Sequence, residues 1–254
     1  MSEQQPIGVF DSGVGGLSVL RHLRAQLPTE QLLYLADQAH VPYGSRSAQE
    51  IIQFSQGITQ YFVQQNVKAI VVACNTASAA ALSLLREQFR LPFVGMEPAV
   101  KPAASQTKSG KVGILATGST FASERYVQLT EQYAQGVMVW QDPCLGLVPE
   151  IEAGRLRSPV IRQILQQALR PMLAAGVDTV VLGCTHYSFV LSQVEEIVGT
   201  AVVTIIDPAP AVARQTAQIL QQHNLLAPPQ RHGGVRFVTT GAAEPHANQV
   251  RQLL

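Results

Sequence analysis

Val71-Val72-Ala73-Cys74-Asn75-Thr76-Ala77 decides the fold, because a short apolar run passes there through a polar junction into a segment of helical period. The same plan returns 110 positions later in Val181-Leu182-Gly183-Cys184-Thr185-His186-Tyr187. In both places we expect a buried strand, a cysteine at its carboxyl end and a helix after the cysteine. Another pair of segments, Gly8–Gly13 and Gly113–Thr120, repeats at the similar offset of 105 positions. The chain is therefore predicted to contain two related halves.

Around these junctions, apolar runs alternate with longer segments in which apolar residues recur at helical spacing. The predicted strands are Ile7–Phe10, Leu32–Ala36, Ala69–Ala73, Val112–Ala116, Val137–Trp140, Thr179–Leu182, Val202–Ile206 and Val235–Thr239. The predicted helices are Leu17–Leu27, Ala48–Asn66, Ala77–Phe89, Ser123–Ala134, Pro159–Ala175, Phe189–Val198 and Pro210–His223. Ser47 and Glu50 form a capping-box pattern at the start of the second helix. Because the strands are apolar throughout, both faces of each sheet should be covered, as in parallel α/β sheets.

Two proline-rich stretches are candidate crossings between the halves, Glu97–Pro102 and Asp207–Pro210. We therefore predict two similar open parallel-sheet α/β domains related by pseudo-symmetry, with the active site in the cleft between them. The first domain would comprise residues 1–97 and 209–254, and the second residues 98–208.

Composition excludes several classes of protein. The chain has 254 residues, 46% of them hydrophobic and 14% charged, but its apolar runs are far shorter than the ~20 residues of a membrane helix. The net charge of +1 gives no basic patch for nucleic acid, and the first residues do not resemble a secretory signal. The three cysteines form no Cys-x-x-Cys pattern, which argues against a zinc site or a redox pair. We expect a cytoplasmic protein without a membrane, nucleic-acid or metal partner.

Cys74 and Cys184 both follow predicted strands, where ligands of open parallel sheets bind. A helix start favours the thiolate and lowers a thiol pKa of about 8.5, and its free N–H groups can bind a substrate carboxylate. Two thiols that approach one molecule from opposite sides can invert a carbon stereocentre, since one removes a proton and the other supplies one. Cys144 lacks this placement, and we expect it to be structural.

The loop Asp11-Ser12-Gly13-Val14-Gly15-Gly16 fits neither the dinucleotide fingerprint nor a P-loop, but its glycines would let a ligand approach the backbone. Asp11 could bind an ammonium group, orient a general base or cap the following helix. Tyr43 and Gly44, in the loop Val41–Ser45, either line the site or form a structural turn. Glu152 and His186 are ionisable candidates near the second thiol, although such residues are often structural.

Four motifs together resemble the glutamate racemases of the cofactor-independent aspartate/glutamate racemase family. The motifs are Phe10–Leu17, Pro42-Tyr43-Gly44, Ala73–Ala77 and Leu182–Tyr187. The resemblance extends over nearly the whole chain, with the motifs in the order and at the spacing typical of the family. Two departures lie at motif edges: Ser188 stands where the family commonly has proline, and Pro208 where it has serine.

The resemblance implies interconversion of L- and D-glutamate without a cofactor or metal. It also implies that Cys74 deprotonates the D-enantiomer with help from Asp11, and that Cys184 deprotonates the L-enantiomer. Glu152 and His186 would assist Cys184. The implied substrate contacts are Asp11, Ser12, Pro42, Tyr43, Gly44, Asn75, Thr76, Thr185 and His186, with Thr117 and Thr120 as weaker candidates. A homodimer and a supply of D-glutamate for peptidoglycan are further implications.

Three alternatives stay open on the sequence alone. The substrate could be aspartate or another acidic amino acid, although the first motif argues against aspartate. A binding or regulatory module could keep the same fold without turnover. A thiol-based redox sensor would need Cys74 and Cys184 close enough to form a disulfide.

Overall fold

The computed structural model describes residues 2–201 and 204–254, which form two parallel sheets with their connecting helices. The strands are β1 Ile7–Asp11, β2 Gln31–Ala36, β3 Ala69–Val72, β4 Phe93–Gly95, β5 Lys111–Leu115, β6 Met138–Asp142, β7 Thr179–Leu182, β8 Thr204–Ile206 and β9 Gly234–Thr239. The helices are α1 Leu17–Gln26, α2 Ala48–Gln64, α3 Asn75–Gln88, α4 Val100–Gln106, α5 Gly118–Phe121, α6 Glu124–Tyr133, α7 Leu147–Glu152, α8 Pro159–Ala174, α9 Leu191–Val198, α10 Ala209–Gln222 and α11 Ala243–Leu253. Within this described part, no helix is long and apolar enough to cross a membrane.

The two sheets repeat one topology. The first has the strand order β4-β3-β1-β2-β9 and the second β6-β5-β7-β8, and all neighbouring strands are parallel. Apart from the added edge strand β9, each sheet places its own first four strands in the order second, first, third, fourth. The predicted pair of similar open parallel sheets is therefore confirmed. The domain boundaries placed near residues 97 and 208 stay a prediction.

Alternate strand residues pack on opposite faces of each sheet, which explains why the strands are apolar throughout. In the first sheet, Val9 and Val71 pack on the side of α1 and α10, whereas Phe10 and Val72 pack on the side of α2 and α3. Each face buries its own cluster of apolar side chains, so burial on both sides stabilises the sheet.

A buried ion pair lies at the amino ends of the strands of the first sheet. Lys68 and Glu30 immediately precede β3 and β2, their Nζ and Oε2 atoms are 2.6 Å apart, and both side chains are fully buried. Glu30 also accepts a hydrogen bond from the Ala227 N–H, and Lys68 donates to the Glu3 carbonyl. These bonds join the N-terminal segment, two strands and the segment after α10.

Several elements differ from the sequence-based expectation. The helix predicted at Phe189–Val198 begins only at Leu191, after a 3-10 turn at Thr185–Val190 in which the Tyr187 N–H bonds to the Cys184 carbonyl. The first proline-rich crossing is partly helical in α4, because Pro102 lies in the first turn, where the missing N–H costs nothing. The short elements β4, α5 and α7 and the polar helix α11 were not predicted. Residues 202 and 203 of the predicted strand Val202–Ile206 lie outside the described residues. The capping box at Ser47 and Glu50 is confirmed, with both reciprocal hydrogen bonds present.

Candidate active site

The site lies where the strand order reverses in each sheet. The chain passes from β1 to β2 on one side and returns to place β3 on the other side, so the loops after β1 and β3 diverge and leave a crevice. Asp11 ends β1 and Cys74 follows β3; Thr117 and Cys184 occupy the equivalent places after β5 and β7. The topology thus puts both cysteines at matching crevices.

These two crevices face each other, because the loops of the two sheets are bonded together. The Ser18 hydroxyl donates to the Thr185 carbonyl over 3.1 Å, and the Thr76 and Thr117 hydroxyl oxygens are 2.9 Å apart. The Val14 N–H donates to Glu152 Oε1 over 2.8 Å. The cleft expected from the repeated sequence pattern is therefore formed by the carboxyl ends of both sheets.

A cavity of about 190 Å³ lies between the two crevices, and both thiols line it. It is smaller than the roughly 300–1,000 Å³ of a pocket for a drug-sized ligand, which suits a small metabolite. The sequence-predicted residues that line it are Ser12, Pro42, Tyr43, Gly44, Cys74, Asn75, Thr76, Thr117, Cys184, Thr185 and His186. Asp11, Thr120 and Glu152 do not line the cavity but lie behind residues that do. For Asp11 and Thr120, direct contact with a substrate stays a prediction that this arrangement does not favour.

Asp11 is fully buried behind Cys74. Its carboxylate accepts hydrogen bonds from the Ser12 N–H over 2.7 Å and from the Gly16 N–H over 2.6 Å, at the start of α1. It also contacts the Cys74 thiol. Burial raises the pKa of Asp11, although His186 and the thiol oppose the rise. The carboxylate therefore fixes the glycine loop and lies against the Cys74 thiol, and its expected role in orienting a general base stays a prediction.

The pKa of Cys74 is raised, whereas the sequence predicts a lowered pKa. Burial raises it well above its usual value and the Asp11 charge adds to the rise, whereas a contact with the Ala77 N–H at the start of α3 lowers it only in part. The lowering predicted from the helix start is present in the contact with the Ala77 N–H, but desolvation and a neighbouring carboxylate outweigh it in this thiol. Cys74 is thus a protonated thiol at neutral pH, with a carboxylate beside it.

Cys184, His186 and Glu152 form a chain of contacts that we call the relay. Cys184 Sγ lies 3.7 Å from His186 Nδ1, and His186 Nε2 lies 2.6 Å from Glu152 Oε1. Burial lowers the pKa of His186, but its bonds to Cys184 and Glu152 and their charges raise it well above its usual value overall. Burial raises the pKa of Glu152, but His186 and the Val14 N–H lower it overall. The relay thus favours a cationic imidazole beside the second thiol.

The glycine loop makes room for the relay rather than for a ligand. A Cβ atom on Gly13 would overlap the Glu152 carboxylate, and one on Gly15 would overlap His186 and Thr185. The expectation that a ligand approaches Gly13 and Gly15 is therefore wrong, because side chains from α7 and from the turn after β7 occupy that space.

Asn75 offers polar groups with no partner. It is buried at the start of α3 and lines the cavity, yet neither its amide nitrogen nor its amide oxygen bonds to any other described residue. A buried amide without partners is costly unless something else bonds to it, so this side chain is suited to a bound ligand. In contrast, Thr120 bonds to Thr117 over 2.9 Å. The Tyr43 hydroxyl donates to Asp37 over 2.6 Å, which leaves mainly its ring for the cavity.

Sequence reasoning missed part of the cavity wall. The unpredicted lining residues are Ser45, Gly118, Pro143, Cys144, Leu145, Gly146, Val148, Pro149 and Tyr187. Six of them lie in the loop between β6 and α7 or in the first turn of α7, and the place of this segment over the site follows from the pairing of β6 with β5. Cys144, expected to be only structural, is in this wall with a left-handed backbone at φ 45°. No local pattern marks that loop as part of a site.

Comparison with known proteins agrees with the geometry. Residues 7–216 match the model of the family described as Asp/Glu/hydantoin racemase. The chain belongs to this family. A glutamate racemase from Herpetosiphon aurantiacus is 48% identical over 252 residues, which is 99% of this chain and 98% of that protein. The resemblance inferred from the motifs is confirmed, and the chain is an isomerase of the racemase type.

Solved structures of the family share the whole fold. A glutamate racemase isoform from Bacillus anthracis superposes with a TM-score of 0.88 at 35% identity, over 97% of this chain and 92% of that one. The Escherichia coli glutamate racemase, solved with L-glutamate and the activator UDP-MurNAc-Ala, gives a TM-score of 0.84 at 34% identity with the same coverage. The fold class predicted from the sequence is thereby confirmed for this family.

Proposed function

We propose that the chain interconverts L- and D-glutamate by a two-base mechanism without a cofactor. The observation that carries the proposal is the placement of Cys74 and Cys184 on one cavity, at equivalent positions of two sheets that face each other. Each thiol has its own acid–base partner, Asp11 for the first and His186 for the second. Proton removal on one face and proton delivery on the other invert a stereocentre.

In the direction from L- to D-glutamate, the Cys184 thiolate takes the α-proton and becomes a thiol. The electron pair of the broken C–H bond stays on the α-carbon and spreads into the α-carboxylate. The Cys74 thiol then gives its proton to the opposite face and becomes a thiolate. His186 stabilises the negative sulfur before the reaction, and the carboxylate of Asp11 can take the Cys74 proton when the enzyme runs in reverse.

Glutamate is the proposed substrate because the cavity offers donors for its carboxylates and because the relatives are named glutamate racemases. The cavity wall contains no lysine or arginine among the described residues, so carboxylates would bind to neutral donors. The N-terminus of α3, the Asn75 amide and the hydroxyls of Ser12, Thr76 and Thr185 supply such donors. The curated relatives at about half identity are named glutamate racemases, which favours glutamate over aspartate.

We further propose that the enzyme works in the cytoplasm as a homodimer and that its D-glutamate enters peptidoglycan. Supply of D-glutamate for cell-wall synthesis is the role implied by the family resemblance. A molecular mass in solution of twice that of the chain, and loss of D-glutamate from the cell wall when the protein is depleted, are the expected results.

The test is racemisation in deuterated water with no added cofactor. The α-proton signal of either enantiomer should disappear as the optical rotation falls to zero. Cys74→Ala and Cys184→Ala should each slow racemisation by about 10²–10⁴-fold, the usual contribution of a positioned acid or base. Full racemisation by either variant would refute the two-base mechanism.

Three further measurements separate the alternatives. Faster turnover of aspartate than of glutamate would refute the proposed substrate. Tight glutamate binding without α-proton exchange would identify a binding module instead. A disulfide between Cys74 and Cys184, detected by mass spectrometry after mild oxidation and reversibly controlling the protein, would favour a redox sensor; all cysteines of the described chain are free thiols.

A further inference from the structure

The end of α7, which carries Glu152, is held from behind by the C-terminal helix α11. Gln249 Nε2 donates to the backbone carbonyl of Glu152 over 2.5 Å. One turn further, Gln252 Nε2 donates to the Gly154 carbonyl over 3.0 Å. The helix that follows the last strand of the first sheet thus fixes the backbone at a relay residue of the second half.

A second glutamine connects this backbone contact to the carboxylate itself. Gln38 follows β2, and its Nε2 donates to Gln249 Oε1 over 2.6 Å. The Gln38 side chain also contacts the Glu152 carboxylate. Gln38 and Gln249 therefore make a continuous polar path from α11 to the two ends of one residue, its backbone carbonyl and its side-chain carboxylate.

We propose that Gln38 and Gln249 are positioning residues that hold Glu152 so that its carboxylate stays directed at His186. The proposal rests on the proposed function for its catalytic consequence, but the position and charge of the carboxylate are properties of the resting protein. Glu152 Oε1 accepts from the Val14 N–H of the glycine loop and lies 2.6 Å from His186 Nε2, while Gln249 bonds to the backbone carbonyl of the same residue and to Gln38.

The charges around Glu152 determine in which direction its pKa moves when a hydrogen-bond donor is removed. Besides His186, the titratable groups near it are Asp11 at the end of β1, Tyr34 in β2 and His246 in α11. Glu152 is close enough to Asp11 and Tyr34 to raise the pKa of each group. Only donors such as Gln38 and the cationic imidazole therefore favour the Glu152 anion, and loss of an amide donor should raise the pKa of this acid.

The experiment titrates the Glu152 carboxyl carbon by NMR in full-length protein labelled at glutamate carboxyl carbons, with the signal assigned through Glu152→Gln. In Gln38→Ala the midpoint should rise by about one pH unit, the size expected for one hydrogen bond to a charged group. Gln249→Ala should produce part of this rise, because Gln38 loses the acceptor that orients it. The double variant should rise no further than Gln38→Ala, since the two residues act in series. Gln252→Ala is the matched control on the same helix and should leave the midpoint unchanged.

Turnover gives a second readout that fails separately. In Gln38→Ala, kcat/KM should begin to fall on the acid side at a higher pH, by the same shift as the NMR midpoint. Gln38→Glu, which lacks the amide donor, should likewise leave the NMR midpoint above the wild-type value. An unchanged midpoint in Gln38→Ala, or shifts that add in the double variant, would overturn the positioning proposal. A wild-type protein that binds glutamate without racemising it would refute the proposed function while the NMR comparison still decides the role of the two glutamines.

Discussion

Glu152→Gln tests the relay with the smallest change of shape. Glutamine keeps an oxygen that can accept from the Val14 N–H and from His186, but it removes the negative charge that lies 2.6 Å from His186 Nε2. A hydrogen bond to a charged group contributes about 1.5–3 kcal/mol, which corresponds to roughly 1–2 pH units in the pKa of the imidazole. The pKa of His186 is raised in the wild type, so it should fall in this variant.

The consequence for turnover has a definite direction. A raised histidine pKa keeps the imidazole cationic to higher pH, and its benefit is lost as the pH rises through that pKa. In Glu152→Gln, the alkaline fall of kcat/KM should therefore begin about 1–2 pH units lower, and turnover at neutral pH should fall roughly 10–100-fold. Because the enantiomers have equal free energy in water, kcat/KM must fall equally in both directions, and only kcat and KM separately can differ.

The assay is the initial rate of optical-rotation change from each enantiomer across pH. Glu150→Gln is the matched control, because Glu150 belongs to the same helix but bonds to Arg155 and Ser158 instead of to the relay. The control should keep the wild-type profile. A Glu152→Gln enzyme with the wild-type rate and an unmoved alkaline limb would refute the reasoning that the carboxylate raises the pKa of His186.

Three further outcomes are expected. Gly15→Ala should reduce turnover by at least about tenfold, because the added methyl group would overlap the imidazole of His186. Gly57→Ala is the control: it lies in open space within α2, and it should keep turnover and add about 0.5–1 kcal/mol to the free energy of unfolding. Equal kinetics for both variants would contradict this expectation. Asp11→Asn should lower the pKa of Cys74, although burial still holds that pKa above its usual value. Alkylation of this thiol by iodoacetamide at neutral pH should therefore become faster, while racemisation becomes slower. An unchanged alkylation rate would show that the carboxylate does not act on the thiol. Lys68→Met should lower the free energy of unfolding, measured in urea, by about 3–5 kcal/mol, because the Glu30 carboxylate stays buried without its partner. The folded enzyme should keep its turnover, since the ion pair lies at the ends of the strands opposite the site. A loss of turnover with unchanged stability would contradict this expectation.

The sequence by itself determined the fold class and the two central thiols. Apolar runs without alternation, followed by segments of helical period, are local signals. They correctly predicted eight of the described strands apart from their ends and from residues 202 and 203, which lie outside the described residues. The repeat at Cys74 and Cys184 predicted that two equivalent strand ends carry the chemistry. These features follow from residue type and spacing along the chain, which a sequence displays directly.

Tertiary structure alone decided how the groups act on one another. Glu152 is far from Val14 in the chain, yet it accepts that N–H and holds His186, and the glycine loop is shaped around it. The raised pKa of Cys74 and the place of Cys144 in the cavity wall were likewise not visible in any motif. Distances between remote residues and the loss of water around a charge depend on how the two sheets pack, and no local pattern encodes either quantity.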